Sequence, residues 1–143
     1  DILLKGRKTA GGLVETDWQG GVLDALVIGL GGNISPGALP EPSKLRYPAI
    51  SIEGALGRPV DRWLVLADTI RAMQVLRLYI TRDEFIERWN SRLAFKDTWV
   101  WFKIPGKEAQ EMQVRGVNDS GKLLLEDISG DTHEVVQGEI VMA

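Results

Sequence analysis

Two glycine-bordered segments decide the fold: Gly6-Arg7-Lys8-Thr9-Ala10-Gly11-Gly12-Leu13-Val14-Glu15 and Ala25-Leu26-Val27-Ile28-Gly29-Leu30-Gly31-Gly32-Asn33. Both contain predicted strands, because apolar residues run between turn-forming ones. Lys8 stands alone on the first strand, and glycines beside it let a phosphate or a carbonyl lie close against the backbone. The two segments together predict a site for a flat, anionic ligand.

Composition limits the possible functions. The chain has 143 residues, 44% of them hydrophobic, which suits one ordinary domain or a domain with a small satellite. The absence of cysteine excludes disulfides, zinc thiolate sites and cysteine nucleophiles, and a single histidine, His133, argues against a histidine-rich metal site. A net charge of -3 with dispersed Lys and Arg predicts no nucleic-acid partner.

The apolar runs predict no membrane association. They are too short to span a bilayer, and no signal peptide opens the chain, so we expect a cytoplasmic protein. The sequence starts at Asp1 without methionine, and we therefore expect it to be part of a longer chain.

The first part of the chain alternates strands and helices. Predicted strands over Ile2–Leu4, Thr9–Glu15 and Ala25–Gly29 form a meander, and the proline-rich stretch Ser35–Pro48 is predicted to be a loop or flap. A helix is predicted after the cap residue Asp61, and a second over Thr81–Trp89 with a capping box at its start. A helical stripe is predicted to be core, and it consists of Trp63, Leu66, Ala67, Ile70 and Met73.

The last part of the chain is predicted to be all β. Short strands separated by tight turns favour a small barrel that resembles an SH3 domain. The predicted domains are 1–93 and 94–143, and the fold class is α+β: part of a mixed sheet packed on helices, followed by the barrel. The five predicted strands are Trp99–Ile104, Gln110–Val117, Lys122–Glu126, Thr132–Val136 and Glu139–Met142.

Four segments, in order, resemble the carboxy-terminal half of bacterial biotin protein ligases, whose core is similar to that of class II synthetases. Asp1 with the Lys8 segment is similar to the end of the family's Trp-Pro-Asn-Asp motif and the essential lysine that follows it. The segment Val27–Asn33 is similar to the second signature strand, and Pro48–Ile52 to the segment that closes over the nucleotide. The region from Gly116 to Ile140 is similar to the terminal barrel.

The resemblance implies two reactions: the biotin carboxylate attacks the α-phosphate of ATP, and a carrier-domain lysine then attacks the biotinyl-adenylate. It implies catalytic roles for Lys8 and Asp1, with Mg²⁺ neutralising phosphate oxygens and Asp1 near the metal or the incoming amine. The implied partners are ATP, biotin, a biotin carboxyl carrier protein domain, the missing N-terminal half and a second copy in a homodimer. The implied biotin-binding residues are Lys8, Gly11, Gly12, Leu13, Gly29 and Leu30, and the implied ATP-binding residues are Lys8, Asn33, Pro48 and Ala49.

This sequence departs from the family pattern in several places. The amino-terminal half is absent, including the Gly-Arg-rich loop and the residues that precede Asp1, so the piece alone is expected to be inactive. Some relatives stack adenine on a tryptophan that has no match here, and Tyr47 is the neighbouring residue that could replace it. An arginine that some relatives have near the C-terminus corresponds to Ala143 in this sequence. This piece contains no segment that resembles a winged-helix domain, so we expect no repressor function from the piece itself.

Other interpretations of the same residues remain open. Gly29 to Gly32 could form a bulge with Asn33 as a turn residue, and a dinucleotide fold is disfavoured because loop and proline follow. Trp99 and Trp101 share a strand face and could pack in the barrel or stack at its mouth. The whole chain could be a non-catalytic binding module for a small molecule or a protein, or a lipoate-type ligase that keeps the lysine and changes the pocket.

Overall fold

The computed structural model describes residues 1–41, 43, 45 and 47–141. It has two sheets and three α-helices among those residues, which confirms the predicted α+β class. The chain divides into two compact units, Asp1–Asp68 and Thr69–Ala143. This division does not test the predicted domain boundary, so domains 1–93 and 94–143 remain a prediction.

The first unit is built on an antiparallel sheet with the predicted meander order β1-β2-β3. Its strands are β1 (Ile2–Leu4), β2 (Arg7–Gln19) and β3 (Val22–Gly32). β2 and β3 extend well beyond the predicted Thr9–Glu15 and Ala25–Gly29, because the two strands stay paired up to the Gly20-Gly21 turn, with one register shift between Asp17 and Trp18. The sequence Trp18-Gln19-Gly20-Gly21 predicts a turn, but Trp18 and Gln19 belong to strand β2 and only the two glycines form the turn.

A short helix, α1 (Ile52–Leu56), follows the loop and was not predicted. The Ser51 side chain caps it by accepting a hydrogen bond from the backbone N–H of Gly54 at 3.0 Å, and Ser51 is buried. Gly57 ends the helix in the left-handed conformation. With only five residues, α1 is too short to leave a helical period in the sequence.

Helix α2 (Arg62–Arg77) begins after Asp61, whose carboxylate accepts a hydrogen bond from the backbone N–H of Trp63 at 2.8 Å as predicted. The prediction that its apolar stripe is core is wrong for this chain, because Trp63 is 65% exposed, Leu66 48% and Ile70 49%. Nothing in the described residues covers this face of the helix.

Helix α3 (Asp83–Asn90) starts two residues later than predicted. Its cap residue is Arg82, which makes no side-chain capping bond, so the predicted capping box at Thr81 is wrong. The Asn90 side chain joins the helix to the second sheet, donating to the backbone oxygen of Val117 at 2.9 Å and accepting from its N–H at 2.7 Å. A Cβ on Gly116 would lie 3.0 Å from Asn90 Oδ1, so this glycine allows the close approach.

The second unit contains a five-stranded antiparallel sheet of order β7-β6-β5-β4-β8. Its strands match the predicted ones closely, although Met142 lies outside the described residues. A hydrophobic core forms on one face, where Met112, Val114 and Leu125 are almost fully buried. The strands are β4 (Trp99–Lys103), β5 (Gln110–Val117), β6 (Leu123–Glu126), β7 (Thr132–Val135) and β8 (Glu139–Val141). Barrel closure stays a prediction.

A carboxylate organises the turn between β6 and β7. Asp127 accepts hydrogen bonds from the backbone N–H groups of Ser129 and Asp131 at 2.8 and 3.1 Å, and its second oxygen lies 2.7 Å from His133 Nε2. The hydrogen bond from His133, helped by those backbone donors, lowers the pKa of Asp127. His133 thus stabilises this turn through its contact with Asp127.

We expect Asp127→Asn to lower the free energy of unfolding at neutral pH. Because the folded state depresses the pKa of Asp127, the ionised carboxylate stabilises folding above the ordinary aspartate pKa of about 3.9 and loses this effect as the pH falls below it. Urea unfolding at neutral pH and near pH 3 checks this: the difference from wild type should shrink at the lower pH. Asp119→Asn, at an exposed turn position, is the control; an equal loss of stability there contradicts the specific role of Asp127.

Candidate functional site

Lys8 is held at the centre of the first unit by its backbone. Its N–H donates to the carbonyl of Pro48 at 2.8 Å, and its carbonyl accepts from the N–H of Ile50 at 2.9 Å. These bonds form an isolated parallel bridge between Lys8 and Ala49, beside an otherwise antiparallel sheet. Two of the predicted ATP-binding residues, Pro48 and Ala49, therefore lie directly beside the lysine.

A β-bulge at Thr9 sets the face on which the lysine lies. Ile2 pairs with Ala10 while Leu3 pairs with Lys8, so β2 has one extra residue at this point. The bulge changes the alternation of side chains and places Lys8 and Gly11 on the same face: a Cβ on Gly11 would lie 3.7 Å from Lys8 Nζ. The Thr9 side chain is buried, and its hydroxyl has no partner among the described residues.

Lys8 and Asp1 form an ion pair on this face. Lys8 Nζ lies 2.8 Å from Asp1 Oδ1, with 41% and 57% of the two side chains exposed. A Cβ on Gly11 would lie 3.1 Å from the same Asp1 oxygen, so a larger residue would crowd the pair. The structure thus brings together the two predicted catalytic residues and one predicted biotin-binding glycine.

The other predicted biotin-binding residues lie on both faces of the hairpin. Leu13 pairs with Gly29, and both are on the face of Gly11, because positions two apart in a strand share a face. Gly12 pairs with Leu30, whose Cδ2 atom lies 3.2 Å from where a Gly12 Cβ would be. Gly12 and Leu30 therefore lie on the opposite face, and the structure does not bring their side-chain positions to Lys8.

Asn33 lies where β3 ends. Its N–H donates to Thr9 at 2.8 Å, and its carbonyl accepts from the N–H of Ile52 at the start of α1 at 2.9 Å. The backbone is therefore fixed between β2 and α1, while the side-chain amide makes no hydrogen bond within the part of the chain that the structure describes. An amide with a free donor and a free acceptor suits recognition of an adenine edge.

Tyr47 is tied to the turn that precedes Lys8. Its hydroxyl donates to the carbonyl of Gly6 at 3.1 Å. Tyr47, the predicted substitute for a stacking tryptophan, therefore has a structural contact with this turn. The equivalent of the family's C-terminal arginine, Ala143, lies outside the described residues.

The opposite face of the hairpin is apolar and uncovered. Four side chains there are between 44% and 55% exposed, and they are Val14, Leu26, Ile28 and Leu30. Side chains of this size, adjacent on a sheet face, normally pack in a core. In the described residues this face is an exposed apolar surface.

The site has few ligands for a metal ion. Asp1 is its one carboxylate among the described residues, it already pairs with Lys8, and those residues contain no cluster of three or more acidic or histidine side chains. Mg²⁺ is commonly held by one or two carboxylates together with substrate phosphates. Asp1 therefore fits a magnesium ion only as one ligand, with the nucleotide phosphates supplying most of the others.

The bulge and the ion pair were not deduced from the sequence. A bulge without glycine or proline leaves no local signal, since Thr9 is an ordinary strand residue. The contact between Lys8 and Asp1 depends on that bulge and on the pairing of β1 with β2.

No helix of the described residues has the length and hydropathy needed to cross a membrane.

Comparison with known proteins places this geometry in a defined fold. No protein-family model matches the chain, and no curated protein matches it. Among solved structures, the chain resembles the C-terminal part of biotin protein ligases, with all of its length aligned. The resemblance predicted from sequence motifs is confirmed at the level of the fold.

Several of the similar structures are of biotin protein ligase from Aquifex aeolicus. The apo structure has a TM-score of 0.79 and 20% identity, over 100% of this chain and 62% of that one. A mutant in complex with biotin has a TM-score of 0.79 and 20% identity, over 100% and 59%. The complex with biotin and ATP has a TM-score of 0.75 and 21% identity, over 98% and 57%. The chain thus spans about three fifths of the proteins it resembles.

Proposed function

We propose that this chain is the C-terminal portion of a biotin protein ligase. One observation carries the proposal: the Lys8–Asp1 ion pair lies at 2.8 Å beside Gly11, on a sheet face with little side-chain cover. A fixed ammonium group on an open backbone surface suits a reaction in which a carboxylate and a phosphate approach each other. The fold shared with structures of a ligase bound to biotin and ATP supports it.

In the first proposed step, a biotin carboxylate oxygen bonds to the α-phosphorus of ATP and the bond to the pyrophosphate oxygen breaks. Both reactants are anionic, and negative charge grows on the phosphoryl oxygens. Lys8 would stabilise this charge: its backbone bonds to Pro48 and Ile50 fix the base of the side chain, and the ion pair with Asp1 orients the ammonium group before the substrates bind. Preorganisation of this kind lowers the barrier because the charge is not repositioned during the reaction.

In the second step, a lysine amine of a carrier domain attacks the acyl carbon of the adenylate, and AMP leaves. The amine must lose a proton, and Asp1 is the carboxylate nearest to Lys8. We propose that Asp1 first holds Lys8 and then accepts the proton that the attacking amine loses as the acyl–nitrogen bond forms and AMP leaves. Magnesium, when bound with ATP, would neutralise phosphate charge.

The uncovered apolar face of the hairpin supports the proposal that a further segment of polypeptide packs against it in the active protein. Val14, Ile28 and Leu30 would be covered by a segment corresponding to the part of the ligase structures that this chain does not span. We therefore expect catalysis by a longer form and little by these 143 residues alone. The free outer edge of β3 among the described residues supports the predicted homodimer, by strand pairing.

Asn33→Ala is expected to raise the KM for ATP several-fold more than that for biotin. The reason is that the Asn33 amide is a candidate for the adenine edge, whereas its backbone already holds the strand. Steady-state kinetics of the longer form, varying each substrate in turn, measures the ratio. Equal effects on both substrates place Asn33 outside the nucleotide site.

The acid substrate is tested by mass spectrometry of the adenylate product. The longer form is incubated with ATP and Mg²⁺ together with biotin or with lipoate, and the released acyl-adenylates are identified. Biotinyl-adenylate alone supports the proposal, and lipoyl-adenylate alone replaces it with a lipoate-type ligase. No adenylate with either acid favours a binding module.

A further inference from the structure

Strand β4 presents two tryptophan rings to solvent. Its side chains alternate: Val100 and Phe102 are buried in the core, whereas Trp99 is 42% exposed and Trp101 47% exposed. Both rings therefore lie on the outer face of the five-stranded sheet, away from the core. Exposed pairs of large aromatic side chains on a flat sheet are a common feature of binding surfaces.

Strand β4 pairs with β5 from Trp99 to Phe102 and with β8 from Trp101 to Lys103. At Trp101, where both sides are paired, a partner cannot extend the sheet and must bind through side chains. Trp101 lies directly between Glu111 on β5 and Val141 on β8. The surface therefore combines two indole rings, an apolar neighbour and a carboxylate.

The charges around the rings leave Glu111 available. Arg115 is engaged by Glu126 at 3.0 Å and lies 3.5 Å from Asp97. Lys103 lies opposite Glu139 in the β4–β8 pair. Within residues 1–41, 43, 45 and 47–141, no cation pairs with Glu111, so its carboxylate beside Trp101 is free to meet one from outside.

Two other exposed aromatic residues already have their own cations. Arg62 lies over the ring of Trp63 at 5.1 Å, and Arg82 over the ring of Tyr79 at 4.8 Å. In the described part of the chain, no such cation lies over Trp99 or Trp101. These two rings can therefore accept a cation from another molecule.

We infer that Trp99, Trp101 and Glu111, here called the tryptophan surface, bind an extended segment of a partner protein that carries arginine or lysine. Alternate residues of an extended segment lie roughly 6.6 Å apart, the same spacing as Trp99 and Trp101 along β4. One basic side chain would stack on an indole ring and would donate a charge-assisted hydrogen bond to the Glu111 carboxylate beside it. This inference does not rest on the ligase chemistry of Lys8.

The test uses the full chain with ¹⁵N-labelled indole groups and two synthetic peptides. One is acetyl-Gly-Ser-Arg-Gly-Arg-Ser-Gly-amide, and the other has glutamate in place of both arginines. Trp99→Phe and Trp101→Phe assign the two indole N–H signals. We expect the arginine peptide to shift both signals with saturation and the glutamate peptide to shift neither, while the exposed Trp18 serves as an internal control.

Two variants test the roles of the residues. Trp101→Ala and Glu111→Gln should each weaken peptide binding by about threefold or more, the loss expected when one cation contact is removed. Glu134→Gln changes an acid of the same sheet that is already paired with Lys122 at 2.8 Å, and it should keep wild-type affinity. Circular dichroism confirms that each variant is folded, and Trp101→Phe, which retains a ring, should bind better than Trp101→Ala.

Three results would overturn the inference. The first is a response of Trp18 equal to that of Trp99 and Trp101, which indicates non-specific binding. The second is equal binding of the acidic peptide. The third is a shift of the two signals with protein concentration alone, which assigns the tryptophan surface to contact between copies of this chain.

Discussion

Replacing Lys8 by alanine is expected to abolish adenylate formation by the longer form of the protein. Removing one preorganised group that stabilises transition-state charge costs about 10²- to 10³-fold in rate. Lys8 is the cation of the candidate site, and its backbone is fixed by Pro48 and Ile50, so the loss should fall on kcat. Biotin-dependent exchange of labelled pyrophosphate into ATP measures the effect.

The fold should survive the Lys8→Ala substitution. The ion pair with Asp1 is half exposed, and such pairs contribute about 0.2–1 kcal/mol. Arg7→Ala is a matched control, since it removes one positive charge from the adjacent, exposed position of β2. Wild-type exchange by the Lys8 variant, or an equal loss in the Arg7 variant, contradicts the assignment.

Gly11→Ala is expected to reduce adenylate formation by about 10- to 100-fold, as small misplacements of reacting groups do. The new Cβ would lie 3.1 Å from Asp1 Oδ1, so this carboxylate must shift by a few tenths of an ångström relative to Lys8, whereas the 3.7 Å distance to Lys8 Nζ is an ordinary contact. Exchange kinetics and thermal unfolding of the same variant separate loss of activity from loss of stability.

Gly31→Ala provides the matched control. Gly31 pairs directly with Gly11 across β2 and β3, on the same face, but a Cβ there has no atom within 4 Å. This variant should retain much more activity than Gly11→Ala. Equal activity of Gly11→Ala and wild type would show that the crowding of Asp1 has no part in catalysis.

The strands were largely predictable from sequence because their signals are local. Glycine pairs, Asn-Asp-Ser-Gly and similar turns separate apolar runs, and β5 was predicted with the bounds Gln110–Val117 that the structure has. β2 and β3 were predicted too short, because pairing across the Gly20-Gly21 turn includes Thr16, Asp17 and Trp18, whose composition does not suggest a buried strand.

The error on α2 has a different cause. Periodicity indicates which residues share a face, and it assumes that the chain contains whatever packs against that face. Trp63, Leu66 and Ile70 do share a stripe, but the described residues supply no layer to cover it. The sequence pattern identified the apolar face of α2, and it could not show whether another element packs against that face.

The candidate site was predictable only as a set of residue types. Lys8 and the glycines followed from the motif, whereas the bulge at Thr9, which brings Gly11 to the same face as Lys8, depends on the register between β1 and β2. Register is a property of two strands, so it was not readable from either one. The placement of Gly12 and Leu30 on the opposite face has the same origin.

The central claim is that this chain carries the Lys8 half of an adenylate-forming site. The most direct measurement is biotin-dependent exchange of labelled pyrophosphate into ATP, made on the 143-residue chain, on the longest natural form, and on that form with Lys8→Ala. We predict exchange by the longest form alone, with the substitution reducing it to the background of the short chain. Exchange that survives the loss of Lys8, or its absence from every form in the presence of biotin, ATP and Mg²⁺, would contradict the claim.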